Sequence, residues 1–316
     1  MADSLQEFLQ QLINGVVLGS AYALIALGYT MVYGILRLIN FAHGDVYMIG
    51  AYIAVFAAVP VTAATVSLMG ILHLGPAYSA VVAFLAVLLI AMGGSGLLGY
   101  AIERFVYRPL RKQSRLTVLI AAIGVSLFLE YAAQVQFGSE PRLFPQLIVQ
   151  RAVFQAKSLT FSNQQLLIVS VSLGLALLLQ FIVQKTSVGR AMRAVSFDQD
   201  AAALMGISVN KVVSFTFVLG SALAAAAAVL ISLNLPQVQP FMGVQMGLKA
   251  FVAAVLGGIG NIYGAIFGGL LVGIAETMVV GYLASSYRDG IVFAILIVVL
   301  LVKPTGLFGS PVTDRA

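Results

Sequence analysis

Apolar runs of about 20 residues recur along almost the whole chain, each long enough to cross the hydrocarbon core of a bilayer. They extend from Leu12 to Leu36, Val46 to Met69, Ala77 to Ile102, Leu116 to Phe137, Leu166 to Val183, Val212 to Leu235, Ala250 to Leu283 and Ile291 to Val302. Backbone groups left unpaired in lipid are costly, so a spanning segment must be a helix or belong to a closed barrel. Continuous apolarity, rather than alternation over ten-residue strands, selects helices. The chain is 61% hydrophobic and 9% charged, against roughly 45–50% and 25% in soluble domains, so it lacks the polar surface of a soluble globule. The expected fold class is all-α: a polytopic integral membrane bundle of about eight transmembrane helices, forming a single domain over residues 1–316. The seventh run is long enough to contain a break, and broken or re-entrant segments are expected.

The basic residues are clustered. Arg104, Arg108, Arg111, Lys112 and Arg115 crowd one short connection, and Lys185, Arg190, Arg193 and Lys211 flank or occupy another. Lys and Arg concentrated in short loops mark the cytoplasmic side. Glu103–Arg115 and Lys185–Lys211 are therefore expected inside, and the Gly138–Asn163 connection outside, although it carries Arg142, Arg151 and Lys157. Two spans before Gly70 place the N-terminal end outside; three shorter ones place it inside. The net charge of +6 thus reads as membrane topology, and no nucleic-acid partner is expected. No basic residue precedes Arg37, so the charged region of a secretory signal is missing and the first apolar run is expected to stay in the protein. The absence of cysteine excludes disulfides, thiolate metal sites and cysteine nucleophiles. No H-E-x-x-H pair occurs, and no metal site is expected.

Two polar, glycine-bearing segments interrupt the apolar pattern. The first contains Asn40, Phe41, His43, Gly44 and Asp45; the second contains Gly257, Gly258, Gly260, Asn261 and Tyr263. One lies in each half of the chain, although the halves share no residue-level repeat. Glycine-interrupted segments in corresponding positions point to a transporter's pathway, and these residues are the candidates for lining a substrate path. Ionisable residues inside apolar spans are costly and by default functional, which singles out Glu130 and Glu276. The competing reading for both is a helix end facing the interface. Glu276 lies about 16 residues past Gly260, roughly 24 Å along a straight helix, which suits an end. Gly260, Gly264 and Gly268 are spaced four apart, and Gly269 with Gly273 repeats that spacing. Small residues at this interval let helix backbones approach, either as tight packing or as a moving interface.

Several enzyme readings are weak. Gly94-Ser-Gly96-Leu-Leu-Gly99 fits a dinucleotide fingerprint by letter, but no strand precedes it. Gly93-Gly94-Ser95-Gly96 resembles the serine motif of rhomboid-type intramembrane proteases, which also requires a histidine beside the serine. Only His43 and His73 exist, and neither stands in a context typical of that family. No G-x-x-x-x-G-K-[ST] loop occurs, so any ATP hydrolysis belongs to another chain. Between Gly189 and Lys211, Asp198 and Asp200 precede an alanine run, which predicts a short amphipathic helix with negative charge at its N-terminus. A solvated linker is the alternative. The spacing Asp200-Ala201-Ala202-x-x-x-Gly206 follows the E-A-A-x-x-x-G pattern of ABC importer permeases, with Asp for Glu. That resemblance implies docking into a groove of an ATPase subunit, with Arg190, Arg193, Asp198, Asp200, Ala201, Ala202 and Gly206 as the coupling candidates.

Longer stretches carry a more specific likeness. NGVVLGSAYALIALGYTMVY over 14–33 runs on into INFAHGDVYM over 39–48, followed by IERFVYRPLR over 102–111 and GRAMRA over 189–194. AAALMGI over 201–207, KAFVAAVLGGIG over 249–260 and PTGLFG over 304–309 complete the series. In this order, over nearly the whole chain, they resemble the LivH-type permeases of branched-chain amino-acid ABC importers. The departures are an aspartate at Asp45, where glutamate is also familiar, and the 138–163 connection. The resemblance implies a non-enzymatic, multi-pass permease of the bacterial inner membrane that works by alternating access. It implies a second homologous permease subunit, two ATP-binding subunits and a periplasmic substrate-binding protein. ATP and Mg would sit on the ATP-binding subunits, with no cofactor on this chain and lipid around it. Related permeases carry urea, amides or other amino acids, so the family leaves the substrate open. A secondary carrier is opposed by the E-A-A-like segment, and an intramembrane protease by the setting of Ser95.

Overall fold

The computed structural model describes residues 2–73, 75–156 and 159–309. In chain order the elements are α1 (Ala2–Leu36), α2 (His43–Ile71) and α3 (Pro76–Ile102), the last continuing through one π-helical turn (Glu103–Tyr107) into α4 (Arg108–Leu110). Then follow α5 (Arg115–Phe137), β1 (Arg142–Leu143), β2 (Ala152–Ala156), β3 (Leu159–Ser162) and α6 (Asn163–Lys185). The remainder comprises α7 (Ser187–Phe197), α8 (Gln199–Leu204), α9 (Val209–Asn234), β4 (Gln237–Val238), α10 (Met242–Gly257), α11 (Ile262–Tyr282), a 3-10 turn (Ser285–Tyr287) and α12 (Arg288–Val302). Among the described residues eight helices are long and apolar enough to cross a membrane, with α10 as a shorter apolar helix.

Two helices form the centre. In α1 every residue from Ala21 to Leu27 is buried, and in α9 every residue from Leu223 to Leu233 except the polar Ser232 belongs to the apolar core, with Ser232 buried too. A helix apolar on all sides suits such a surrounded position. The alanines Ala224–Ala228 keep the radius of α9 small, so neighbouring backbones come close.

The seventh apolar run resolves into two helices, α10 and α11. Gly258 and Gly260 between them adopt φ of 101° and 97°, a region that glycine enters without steric cost. The Asn261 side chain then accepts the Gly264 N–H and caps α11. The connection expected from Glu103 onward is helical as far as Leu110. Glu103 is fully buried, pairs with Arg108 and Arg111 at 2.8 Å each, and accepts the Ser214 hydroxyl at 2.7 Å.

The two basic segments emerge at the same end. Arg111 donates to Asn210 at 3.0 Å. The Ser196 hydroxyl and the Gln199 amide donate to the carbonyls of Gly34 and Ile35 at the end of α1. At the opposite end β1 pairs with β4, and Gln165 and the Thr160 N–H donate to Asn14 and Gln10 near the start of α1. Lys157 of this connection lies outside the described residues. α1 and α2 occupy the stretch up to Gly70, so the two-span count applies, and the N-terminal end of α1 lies opposite the basic end.

Candidate transport site

The connection after α1 folds back into the bundle. The Tyr107 hydroxyl donates to Asn40 at 2.8 Å, and the His43 ring packs against Gly28 and meets the Tyr29 ring edge-on at 4.6 Å. Gly28 stands eight residues before Leu36, or roughly 12 Å along the helix. α2 therefore begins within the depth of the bundle rather than at its surface.

α10 begins at the same place. A β-carbon on Gly44 would lie 3.0 Å from the Gly247 Cα, and one on Gly243 would lie 2.8 Å from the Asp45 Oδ1. Only glycines permit this backbone contact between the start of α2 and the start of α10. Phe241, the residue before α10, has φ of 68°, a conformation that costs a non-glycine residue about 1–2 kcal/mol. The Tyr131 ring packs edge-on against it at 5.7 Å.

Asp45 is 1% exposed, and its Oδ2 accepts the Ser126 hydroxyl at 2.5 Å. Ser126 Oγ also stands 3.5 Å from Glu130 Oε1, and Glu130 is buried. Phe41, Ser126, Glu130, Gly243 and Gly247 border one cavity of about 170 Å³. The structure thus joins Glu130 to the Asn40–Asp45 break.

The Gly257–Tyr263 break lies elsewhere, at the basic end. The Phe308 N–H donates to Gly257 and the Asn261 amide to Phe308, each at 3.0 Å, and Gly258 backs onto Gly309. Tyr263 is exposed and accepts the Gln180 amide. Gly260 shares a cavity of about 100 Å³ with Gly34 of α1 and with Arg193 and Ser196 of α7. The two breaks meet only at a small gap that Ile39 and Ile259 both line. The element that meets Asn40–Asp45 is Gly243–Gly247, which sequence reasoning missed. Its signals were Pro240 ahead of the helix and two glycines spaced four apart.

Glu276 is not at a helix end facing the interface, the competing position considered for it. It is fully buried, accepts the Tyr22 hydroxyl at 2.9 Å, pairs with Lys249 at 3.0 Å and bonds Arg288. Lys249 also reaches Asp289 at 2.7 Å. Two acids and two bases from α10, α11 and α12 thus neutralise one another away from the cavity. Ser95 packs against Gly50 of α2, whereas His43 packs against Gly28 of α1, so the protease-like motif and that histidine belong to different contacts.

The Gly189–Lys211 segment forms two short helices. Asp198 caps α8 by accepting the N–H groups of Asp200 and Ala201 at 2.9 Å each, and Asp200 adds charge to the first turn. Gly206, at φ of 82°, ends the turn. Ala202 packs inward, while Ala201 and Arg190 are exposed. Arg193 bonds the Val183 carbonyl. Leu204 and Met205, 88% and 82% exposed, form an apolar crest that reading the charged and small residues did not reveal.

The cavity beside Phe41 offers a direct check. Cysteines placed at Phe41 and Ser126, in a chain with none of its own, should react with small water-soluble thiol reagents. Their labelling rates should change once ATP is trapped in the assembled transporter. Inertness in every state would make the cavity a sealed gap.

Comparison with known proteins completes the description. Residues 11–300 match the family described as the permease component of branched-chain amino acid transport systems. The chain is 43% identical to the high-affinity branched-chain amino acid transport system permease protein BraD of Pseudomonas aeruginosa, over 98% of each chain. It is also 43% identical to LivH of Escherichia coli K12 and 42% to LivH of Salmonella typhimurium, over the full length of both chains in each case. With eight apolar helices and a family match over nearly its whole length, this multi-pass membrane chain belongs to the branched-chain amino acid transport system permease family.

Proposed function

We propose that the chain is a membrane-spanning subunit of an ATP-driven importer that carries branched-chain or related neutral hydrophobic amino acids into the bacterial cytoplasm. The observation that carries this reading is the full-length likeness to three high-affinity branched-chain amino acid permeases. A second homologous permease, two ATP-binding subunits holding ATP and Mg, and a periplasmic binding protein complete the transporter in the inner membrane.

The division of labour follows from the two ends of the bundle. The binding protein docks at the end formed by the 138–163 connection and β4. At the basic end, the Leu204–Met205 crest enters the ATPase groove, because burying apolar surface there provides the association energy. Movement of α7 acts on α1 through Ser196 and Gly34, and on the Gly257–Tyr263 turn through the cavity that Arg193 shares with Gly260. α1 and α10 extend from these contacts to the region where Gly44 meets Gly243. Alternating access is then a change in how α2 and α10 pack at that contact.

Reconstitution of the complete transporter should give ATP-dependent uptake of leucine, isoleucine and valine. Leu204→Glu should release the ATPase subunits or uncouple hydrolysis from uptake, while the permease stays in the membrane. Gly206→Leu should act similarly, because its backbone conformation costs a side chain about 1–2 kcal/mol. Normal assembly and uptake in both variants would remove the docking role from this segment.

A further inference from the structure

We infer that Asp45, Ser126 and Glu130 form the subsite for the ammonium group of the transported amino acid, a role that rests on the transport reading above. Two other buried carboxylates have basic partners: Glu103 pairs with Arg108 and Arg111, and Glu276 with Lys249 and Arg288. Among the described residues no salt bridge reaches Asp45 or Glu130, although both are buried.

Asp45 Oδ1 has no hydrogen-bond partner. Leaving such an oxygen buried and unmatched is costly, and two nearby carboxylates repel each other in a medium of low dielectric. A cation beside Glu130 and Ser126 relieves the repulsion. An ammonium presents donors to the Glu130 carboxylate and the Ser126 hydroxyl oxygen, which border the cavity, and the Asp45 carboxylate behind Ser126 adds negative charge.

The rest of the cavity suits the rest of the molecule. Ile123 and Leu127 of α5 and Val244 and Leu248 of α10 line it, an aliphatic surface without charge. The volume is about 170 Å³, and a dry protein cavity of about 150 Å³ accommodates benzene, so a five- or six-carbon amino acid is in range. The substrate carboxylate is left to the first turn of α10. That helix has no side-chain cap at its N-terminus; its Met242 and Val244 N–H groups donate to Gln239 and Phe241, and the positive end of the helix dipole favours an anion there. The cavity therefore suits a zwitterion with an apolar side chain of that size.

The test uses the complete transporter with its binding protein and compares Asp45→Asn, Glu130→Gln, the double variant and Glu130→Asp. Uptake per membrane-inserted molecule should fall at least about tenfold in the neutral variants, the factor given by about 1.4 kcal/mol. ATP hydrolysis stimulated by loaded binding protein should fall far less. Glu130→Asp should keep most of its uptake, and the double variant should be no worse than the poorer single one. Neutral variants that import as well as the parent overturn the ammonium subsite and leave the transport function intact. Equal loss of abundance, hydrolysis and uptake in Glu130→Gln and Glu130→Asp also overturns it, in favour of a purely structural pair. A sodium requirement of the parent that disappears in the neutral variants would assign the pair to a metal cation instead. A parent transporter that imports no branched-chain amino acid refutes the functional reading itself, independently of the variants.

Discussion

Glu276→Leu should destabilise the folded permease by about 3–5 kcal/mol, the usual consequence of removing one member of a buried ion pair. Lys249 has a side chain only 5% exposed, and it would then rely on Asp289, whose side chain is 54% exposed. The hydroxyl of fully buried Tyr22 would also lose its acceptor. Arg288 and Asp289 are partly solvated, and exposed pairs contribute little, so most of the effect comes from the Lys249–Glu276 contact. Thermal unfolding of the purified permease and its abundance in the membrane are the measurements. Adding Lys249→Met should restore much of the loss, because apolar packing often replaces a buried pair at little cost. A Glu276→Leu protein as stable as the parent would show that the network contributes nothing to holding α10, α11 and α12 together.

The second large effect should come from glycine positions where backbones touch. A β-carbon on Gly273 would stand 2.6 Å from the Gly15 carbonyl oxygen of α1, and one on Gly264 would stand 2.8 Å from the Gly257 carbonyl carbon of α10. Backbone atoms cannot move aside as a side chain can. Leucine at either position should therefore cost at least the 1–3 kcal/mol typical of overpacking. Gly260 differs from the expectation of close approach: nothing lies within 4 Å of its β-carbon position. Leucine there should be harmful through its backbone angle alone, about 1–2 kcal/mol. Gly93, whose β-carbon position is also open, provides the neutral control. Membrane-inserted abundance and transport rate per inserted molecule should both fall most for Gly273→Leu and Gly264→Leu. Values matching Gly93→Leu would mean that the seams of α11 with α1 and α10 are loose.

The comparison of Gly260 with Gly273 shows where residue patterns lose information. Spacing of four marks a face of α11, and the structure divides that face between two neighbours. Gly264 and Gly268 meet α10, whereas Gly269 and Gly273 meet α1. The sequence contains the stripe but not the number of helices it touches. The two intramembrane glutamates show the same limit. Glu130 and Glu276 are equally anomalous in an apolar run, yet one joins an unpaired acidic group and the other a neutralised network. Their partners lie on other helices, far away in sequence.

By itself the sequence determined the helical class, the eight spans, the end carrying the basic segments, the break between α10 and α11, and the family. Each follows from local chemistry: the length of an apolar run, a cluster of charge, glycines that permit positive φ, or motifs in a particular order. Tertiary structure alone decided which helices are central, which break meets Gly243, and which exposed apolar residues crown α8. The physical reason is that lipid and protein interior are both apolar, so hydrophobicity does not distinguish them. Within an 18-residue apolar stretch, the central span Leu5–Leu36 has 89% of its residues buried at a mean hydropathy of 1.7, whereas the peripheral Asn163–Lys185 has 22% buried at 2.6. In water the more apolar helix would occupy the core. In a bilayer, packing is decided by close backbone approach and by the pairing of the few polar groups, which depend on residues brought together from distant parts of the chain.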